Sequence, residues 1–216
     1  MFTAFPSREH AGRELALRLK SMAIENPIVL ALPRGGVPIA AEVARVLHAP
    51  LDLLLVRKIG VPSMPELAAA AVVDGERAEI VLNQGVMDIA GLTKEAIDDL
   101  AREQLAEIER RRRLYLGDRK PVSIKDKTAI VIDDGIATGT TAKAALQALR
   151  RRGPRAIILA VPVASPEAVS HLAAYSDQVV ALQQPAFFYA IGQFYSDFHQ
   201  LSDDEVIEAL GGAGQA

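Results

Sequence analysis

Five short runs of apolar, largely branched residues recur along the chain, at 28–32, 51–56, 128–132, 156–161 and 177–182, separated by stretches whose apolar residues follow a helical spacing. A strand that is apolar on both faces must be covered on both faces, so such runs alternating with helices imply a parallel sheet joined by right-handed crossovers. The fold class that follows is α/β: a doubly wound, mostly parallel five-stranded sheet. Sheets of this kind bind ligands at the carboxyl ends of their strands, near the point where the winding reverses. Residues that do chemistry are therefore expected on the strand-to-helix turns.

The connecting segments carry the punctuation such a fold needs. Leu15, Leu17, Leu19 and Met22 predict an amphipathic helix over 9–23, ended by Pro27, and the turn Pro33-Arg34-Gly35-Gly36 leads into a helix over 39–47. The runs 67–73 and 79–82 flank Asp74-Gly75, a dipeptide that favours a tight hairpin. Residues 93–116 read as one long amphipathic helix capped by Thr93, with Ile97, Leu100, Leu105, Ile108 and Tyr115 among many charges. A helix over 140–152 stops at Gly153-Pro154. Ser165-Pro166-Glu167 starts another helix, ending near residue 174, and Ser202-Asp203-Asp204-Glu205 has the form of a capping box.

Composition narrows the function classes. A chain of 216 residues fits a single domain spanning 1–216, and a net charge of −3 provides no general attraction to nucleic acid or to an anionic membrane. The absence of cysteine removes disulfides, thiolate metal sites and cysteine nucleophiles together. No apolar run approaches the length of a membrane span, and the first residues lack the pattern of a secretory signal, so the expected location is cytoplasmic. Any anion site must be local.

The segment from Thr128 to Arg152 supplies one. Its apolar strand delivers Asp133 and Asp134 to its own mouth, where carboxylates can accept hydrogen bonds from the vicinal hydroxyls of a sugar. Gly135 and Gly139 then permit a compact loop, and Thr138, Thr140 and Thr141 add hydroxyls to the free N–H groups at a helix N-terminus, the makings of a phosphate cradle. Asp-Asp-Gly alone is a turn and Thr-Gly-Thr-Thr alone is a helix cap. Placed one turn apart after a buried strand, the two match the dimensions of a ribose 5-phosphate. Neither a Walker loop nor the Gly-x-Gly-x-x-Gly dinucleotide signature is present.

Residues 131–141 resemble the signature of the type I phosphoribosyltransferases, a hydrophobic strand, two acids and a Thr-Gly-rich loop. The resemblance extends over residues 8–210 and is closest to stand-alone bacterial phosphoribosyltransferase-domain proteins of undefined acceptor. It implies a small hood, formed by about 1–26 and 184–216, and a hairpin and helical insertion. It also implies that Asp133 and Asp134 hold the ribose of 5-phosphoribosyl 1-pyrophosphate (PRPP), while Gly135, Ala137, Thr138, Gly139, Thr140 and Thr141 hold its 5-phosphate. Arg34, Gly35 and Gly36 match the pyrophosphate loop, and Arg57 and Lys58, taken to end the second strand, would add charge to the same pyrophosphate. Asp133, Asp134, Arg57 and Lys58 are thus the expected catalytic groups. In the 6-oxopurine salvage branch an aspartate usually stands at the position of Ala137, so alanine argues against that branch and leaves the general base unassigned.

The implied reaction breaks the bond between ribose C1 and pyrophosphate through an oxocarbenium-like state and passes the phosphoribosyl group to a nitrogenous acceptor. Mg²⁺ is the expected cofactor, held mainly by substrate oxygens and water, with Asp133 or Asp134 reaching it through water and no direct protein ligand assigned. Residues 59–65 are the candidate lid. Phe187, Phe188, Tyr189, Phe194 and Tyr195 are read as packing in preference to an acceptor platform. The basic run at 110–113 reads as a solvated helix face and no histidine receives a role. PRPP and a small acceptor are the expected partners, with a homodimer left open. Two rival functions remain at this stage: a non-catalytic PRPP-sensing regulator, and a phosphatase or phosphotransferase with Asp133 or Asp134 as nucleophile.

Overall fold

In the computed structural model, which describes residues 4–75 and 78–213, the apolar runs pair as parallel ladders. The strands are β1 (Pro27–Ala31), β2 (Leu51–Leu53), β6 (Thr128–Ile132), β7 (Ala156–Val163) and β8 (Gln178–Gln183), in the order β2-β1-β6-β7-β8. The expected five-stranded doubly wound sheet is therefore present. Its crossovers are α2 (Gly36–Leu47), α5 (Thr140–Arg151) and α6 (Pro166–Leu172). Alternate residues of each strand enter different cores: Val29, Ala31, Ile130 and Ile132 pack with Val37, Ile39 and Val43 of α2, while Ile28, Leu30, Ala129 and Val131 pack with Ala145 and Leu149 of α5. Each fully buried branched side chain contributes about 1.5–3 kcal/mol, which is why uniformly apolar sequence is required here.

From β1 the chain crosses to β2 on one side, and from β6 to β7 on the other, so the winding reverses between the adjacent strands β1 and β6. In sheets of this kind ligands bind beside the loops that leave such a pair of strands at the carboxyl edge.

The second apolar run departs from expectation. Only 51–53 joins the parallel sheet; Val56 begins β3 (Val56–Val61), which pairs antiparallel with β4 (Met64–Val73), itself paired with β5 (Glu79–Leu82). Arg57 and Lys58 thus lie inside a strand of a separate three-stranded sheet and do not end the second strand. A buried carboxylate explains the break: Asp52 accepts from the backbone N–H of Val122 at 2.8 Å and from Arg112 Nη2 at 3.1 Å. The β4–β5 ladder closes at Val73 and Glu79, so the connection is longer than the two-residue turn expected from Asp74-Gly75. Asp74 is instead drawn inward, accepting from the backbone N–H of Leu55 at 2.9 Å and from Arg112 Nη1 at 2.6 Å.

Helix boundaries shift for similar reasons. The first helix, α1 (Arg8–Lys20), ends at Ser21, whose hydroxyl bonds the carbonyl of Arg18, well before Pro27; Leu17 faces solvent while Leu15 and Leu19 are buried. Helix α2 begins directly from the glycine turn, three residues earlier than its periodicity suggests. A short helix, α3 (Gln84–Ala90), was not anticipated; Asn83 caps it and Gly91 ends it. The long helix α4 (Lys94–Leu116) has Thr93 as its cap, and α7 (Asp203–Ala213) follows the expected capping box, with Ser202 and Glu205 bonding reciprocally.

Candidate functional site

Strand β6 carries the site. Asp133 and Asp134 follow its last residue, and residues 135–141 form a loop whose Gly139, at φ +75, turns the chain into α5. Only a glycine adopts this backbone without strain. The concavity at this loop, about 190 Å³, is bounded by Asp133, by Gly135, Ala137, Thr138, Gly139, Thr140 and Thr141, and by Ile191 from the C-terminal segment. The first N–H groups of α5 have no intrahelical partner and point toward this space, which makes it suited to an anion. Of the residues expected at a ribose 5-phosphate, all but Asp134 line this concavity.

The two acids differ in their surroundings. Asp134 is buried, and its Oδ2 accepts from Arg8 Nε at 3.0 Å. Its backbone carbonyl accepts from the Tyr195 hydroxyl at 2.6 Å. Asp133 is half-buried, faces the concavity, and its Oδ1 accepts the backbone N–H of Asp134 at 2.9 Å. Burial pushes both carboxyls above their ordinary range; the charge of Asp134 raises Asp133 further, whereas Arg8 opposes the rise at Asp134. Burial also raises the Tyr195 hydroxyl, which keeps it a donor.

Arg8 and Tyr195 were missed by sequence reasoning. Arg8 follows the cap residue Ser7, where a positive charge opposes the helix dipole. A cation in that position is a usable signal that something other than the helix fixes it. Its Nη1 donates to the carbonyl of His199 at 3.0 Å and its guanidinium lies 4.0 Å from the Phe198 ring centroid. Phe5, Phe194 and Tyr195 are buried together beside Phe188, Ile191 and Phe198, so the aromatic segment is mainly packing; Phe187 and Tyr189 stand exposed.

The turn after β1 packs directly against the acids. A Cβ on Gly36 would lie 2.5 Å from the carbonyl oxygen of Ile132, and a Cβ on Gly35 would overlap the Asp134 carboxylate. Glycine here is a condition for the turn to approach β6. Arg34, joined to Pro33 by a cis peptide, has its guanidinium 3.8 Å from Asp203, which accepts from the Tyr115 hydroxyl at 2.5 Å; burial and that bond push the hydroxyl up to about 12. Arg57 and Lys58, adjacent in β3, project to opposite faces. Arg57 donates to Gln104 of α4 at 3.0 Å, while Lys58 reaches a cavity shared with Thr138 and Thr140, so they do not form one pair. Residues 59–65 form the tip of the β3–β4 hairpin, with Val61 opposite Met64. No group of three or more acids or histidines disposed to hold a metal occurs among the described residues. None of their helices is long and apolar enough to cross a membrane.

The family described as "Phosphoribosyl transferase domain" matches residues 1–199. The chain belongs to that family. A Mycobacterium tuberculosis protein whose name carries a provisional phosphoribosyl transferase assignment is 47% identical over 206 residues, 95% of this chain and 46% of that protein. The chain thus spans about half the length of the curated relatives it matches. A uracil phosphoribosyltransferase of Desulfitobacterium hafniense is 32% identical over 94 residues, 44% of this chain and 40% of that protein. The crystal structure of TT1426 from Thermus thermophilus superimposes with a TM-score of 0.81 at 41% identity, covering 96% of this chain and 98% of that one. The phosphoribosyl transferase family fold therefore extends over nearly the whole chain.

Proposed function

We propose that this phosphoribosyl transferase-family chain binds PRPP and transfers its 5-phosphoribosyl group to a nitrogenous heterocycle, releasing pyrophosphate. One observation carries the reading: the acid pair and the phosphate cradle stand at the switch point, directly opposite the glycine turn after β1. The 5-phosphate sits on the N–H groups and hydroxyls of 137–141, and Asp133 accepts hydrogen bonds from the ribose hydroxyls. Asp134 completes the acid pair, and Arg8 acts through it as a positioning residue. The amide of Gly35 and the charge of Arg34 receive the departing pyrophosphate, stabilising negative charge as it develops, while the Gly36 N–H, bonded to the Leu32 carbonyl at 3.0 Å, holds the turn. Arg57 and Lys58 belong to the hairpin that closes over the substrate, with 59–65 as its tip, and contribute charge from that side. The described parts of the expected hood, within 4–26 and 184–213, cover the ring of the acceptor.

The oxygen donors present suit Mg²⁺, a hard cation that keeps water and substrate phosphate ligands and needs few protein ligands. Asp133 or Asp134 would hold it through water, and the ion when bound supplies neutralisation of the pyrophosphate charge. The cradle fixes C1 in place while the hairpin excludes water from the reactive cation.

Replacing both acids, Asp133→Asn with Asp134→Asn, tests the reading by calorimetry with Mg²⁺–PRPP. The loss of hydrogen bonds to charged groups predicts weakening by roughly 10–150-fold, and unchanged affinity would sink the assignment. Pyrophosphate release across a panel of bases then separates transfer from sensing, since a sensor binds PRPP and turns over none of them.

A further inference from the structure

A second cavity, of about 270 Å³, lies on the other side of the phosphate loop, between α5 and the antiparallel sheet β3-β4-β5. Its polar lining comes from separate elements: Lys58 of β3, Asn83 and Gln84 at the start of α3, Thr138 and Thr140 of the phosphate loop, Lys143 and Gln147 of α5, and His171 of α6. None of the residues lining it is acidic. Among the described residues no carboxylate lies within 4 Å of either lysine amine. Lys143 is half-buried and its amine sits 5.0 Å from the Tyr175 ring centroid, a contact that orients a cation without neutralising it.

Another cavity of this protein shows what charge matching looks like here. In the space of about 410 Å³ beside Arg112 and Arg152, the first guanidinium bonds Asp52 and Asp74 and the second bonds Glu79. Those cations have their anions within the fold. Lys58 and Lys143 converge on a cavity that supplies none, and its floor, Ala68, Ala70, Ala71, Ala144 and Val81, is apolar.

We propose that this cavity is a second anion site, one that binds a small phosphomonoester other than PRPP, with Lys143 on the phosphate and the organic part on the alanine floor. Phosphate suits the donors that the cradle does not engage: the Lys143 ammonium and the Gln147 carboxamide can both donate to its oxygens. The cavity falls below the roughly 300–1,000 Å³ of a drug-sized site, which limits the ligand to a small phosphorylated compound. Because Thr138 and Thr140 line both this cavity and the cradle, the occupant would border the ribose 5-phosphate and tie the antiparallel sheet to α5. The site borders the PRPP reading, with Lys58, Thr138 and Thr140 common to both, while Lys143 and Gln147 belong to this cavity alone.

The test uses the full chain saturated with Mg²⁺–PRPP and without acceptor, titrated calorimetrically with inorganic phosphate and with phenyl phosphate. One further anion per chain is expected, with phenyl phosphate about tenfold tighter through burial of its ring. Lys143→Met is expected to weaken it by about tenfold or more, the loss of one hydrogen bond between charged groups, and Lys143→Arg to retain most of it. PRPP affinity of Lys143→Met should stay within about threefold of the parent, since Lys143 does not line the cradle. Absence of the second binding event, or one indifferent to Lys143→Met, overturns the site. Equal affinity for the two probes overturns its organic portion. If PRPP itself does not bind while Lys143-dependent phosphate binding persists, the PRPP reading falls and this site stands.

Discussion

Gly35 lies so close to Asp134 that a Cβ at position 35 would overlap the carboxylate, which cannot retreat because Arg8 holds its Oδ2 at 3.0 Å. The turn after β1 and the acid pair after β6 are thereby registered against each other.

Gly35→Ala should therefore displace the turn without moving the acid. Overpacking of this kind costs about 1–3 kcal/mol, and PRPP affinity is expected to fall by at least about tenfold, since 1.4 kcal/mol is a factor of ten. Thermal unfolding and calorimetry on the same sample check both effects. Parent-like affinity in the alanine variant would contradict the registration.

Arg8→Met removes the cation that opposes the rise of the Asp134 carboxyl. That carboxyl then moves further up, so the acid limb of PRPP affinity shifts to higher pH. Arg8→Lys, which restores the charge without the fork, should return part of the shift. A pH profile of PRPP binding distinguishes this from simple loss of packing, which lowers the melting temperature and leaves the limb in place.

The acid pair is expected to cost stability in the absence of ligand. Both folded carboxyls lie above their unfolded values, so their contribution is most favourable below the unfolded value and is lost as pH rises through the folded one. Asp133→Asn removes half of this like-charge pair and should stabilise the unliganded protein at pH 7 by about 0.5–2 kcal/mol, while weakening PRPP binding. The gain shrinks as pH falls and the parent acids protonate. Melting curves between pH 4 and 8 provide the measurement.

Arg112 bonds both Asp52 and Asp74 and so joins the edge of the parallel sheet to the antiparallel one. Arg112→Met leaves two buried carboxylates facing each other without a cation, a loss of about 3–5 kcal/mol. At roughly 2–4 °C per kcal/mol for a chain of this size, the melting temperature should drop by roughly 6–20 °C. Burial already raises Asp74, so the deficit should narrow in acid.

Where pattern is local, the sequence was readable. Residues 128–132 are apolar at every position because both faces are covered, and the acids, glycines and threonines that follow occupy the same short stretch that forms the concavity. The capping boundaries at Thr93, Ser165 and Ser202 were readable for the same reason, since a cap bonds three residues ahead. Residues 51–56 misled because a run of this composition satisfies either sheet, and what divides it is Arg112, 60 residues away from Asp52.

The sequence by itself thus determined a parallel α/β sheet and a compact glycine-threonine loop after its third apolar run, because strand burial, glycine conformation and helix capping act over a few residues. Only the tertiary structure decided which acid is free. Arg8 reaches Asp134 across 126 residues of chain, and Tyr195 reaches its carbonyl across 61. It also separated Arg57 from Lys58, since neighbours in a strand point to opposite faces and only the placement of β3 fixes what each face meets. Contacts of that range depend on which surfaces pack together, and no local pattern of residues encodes them.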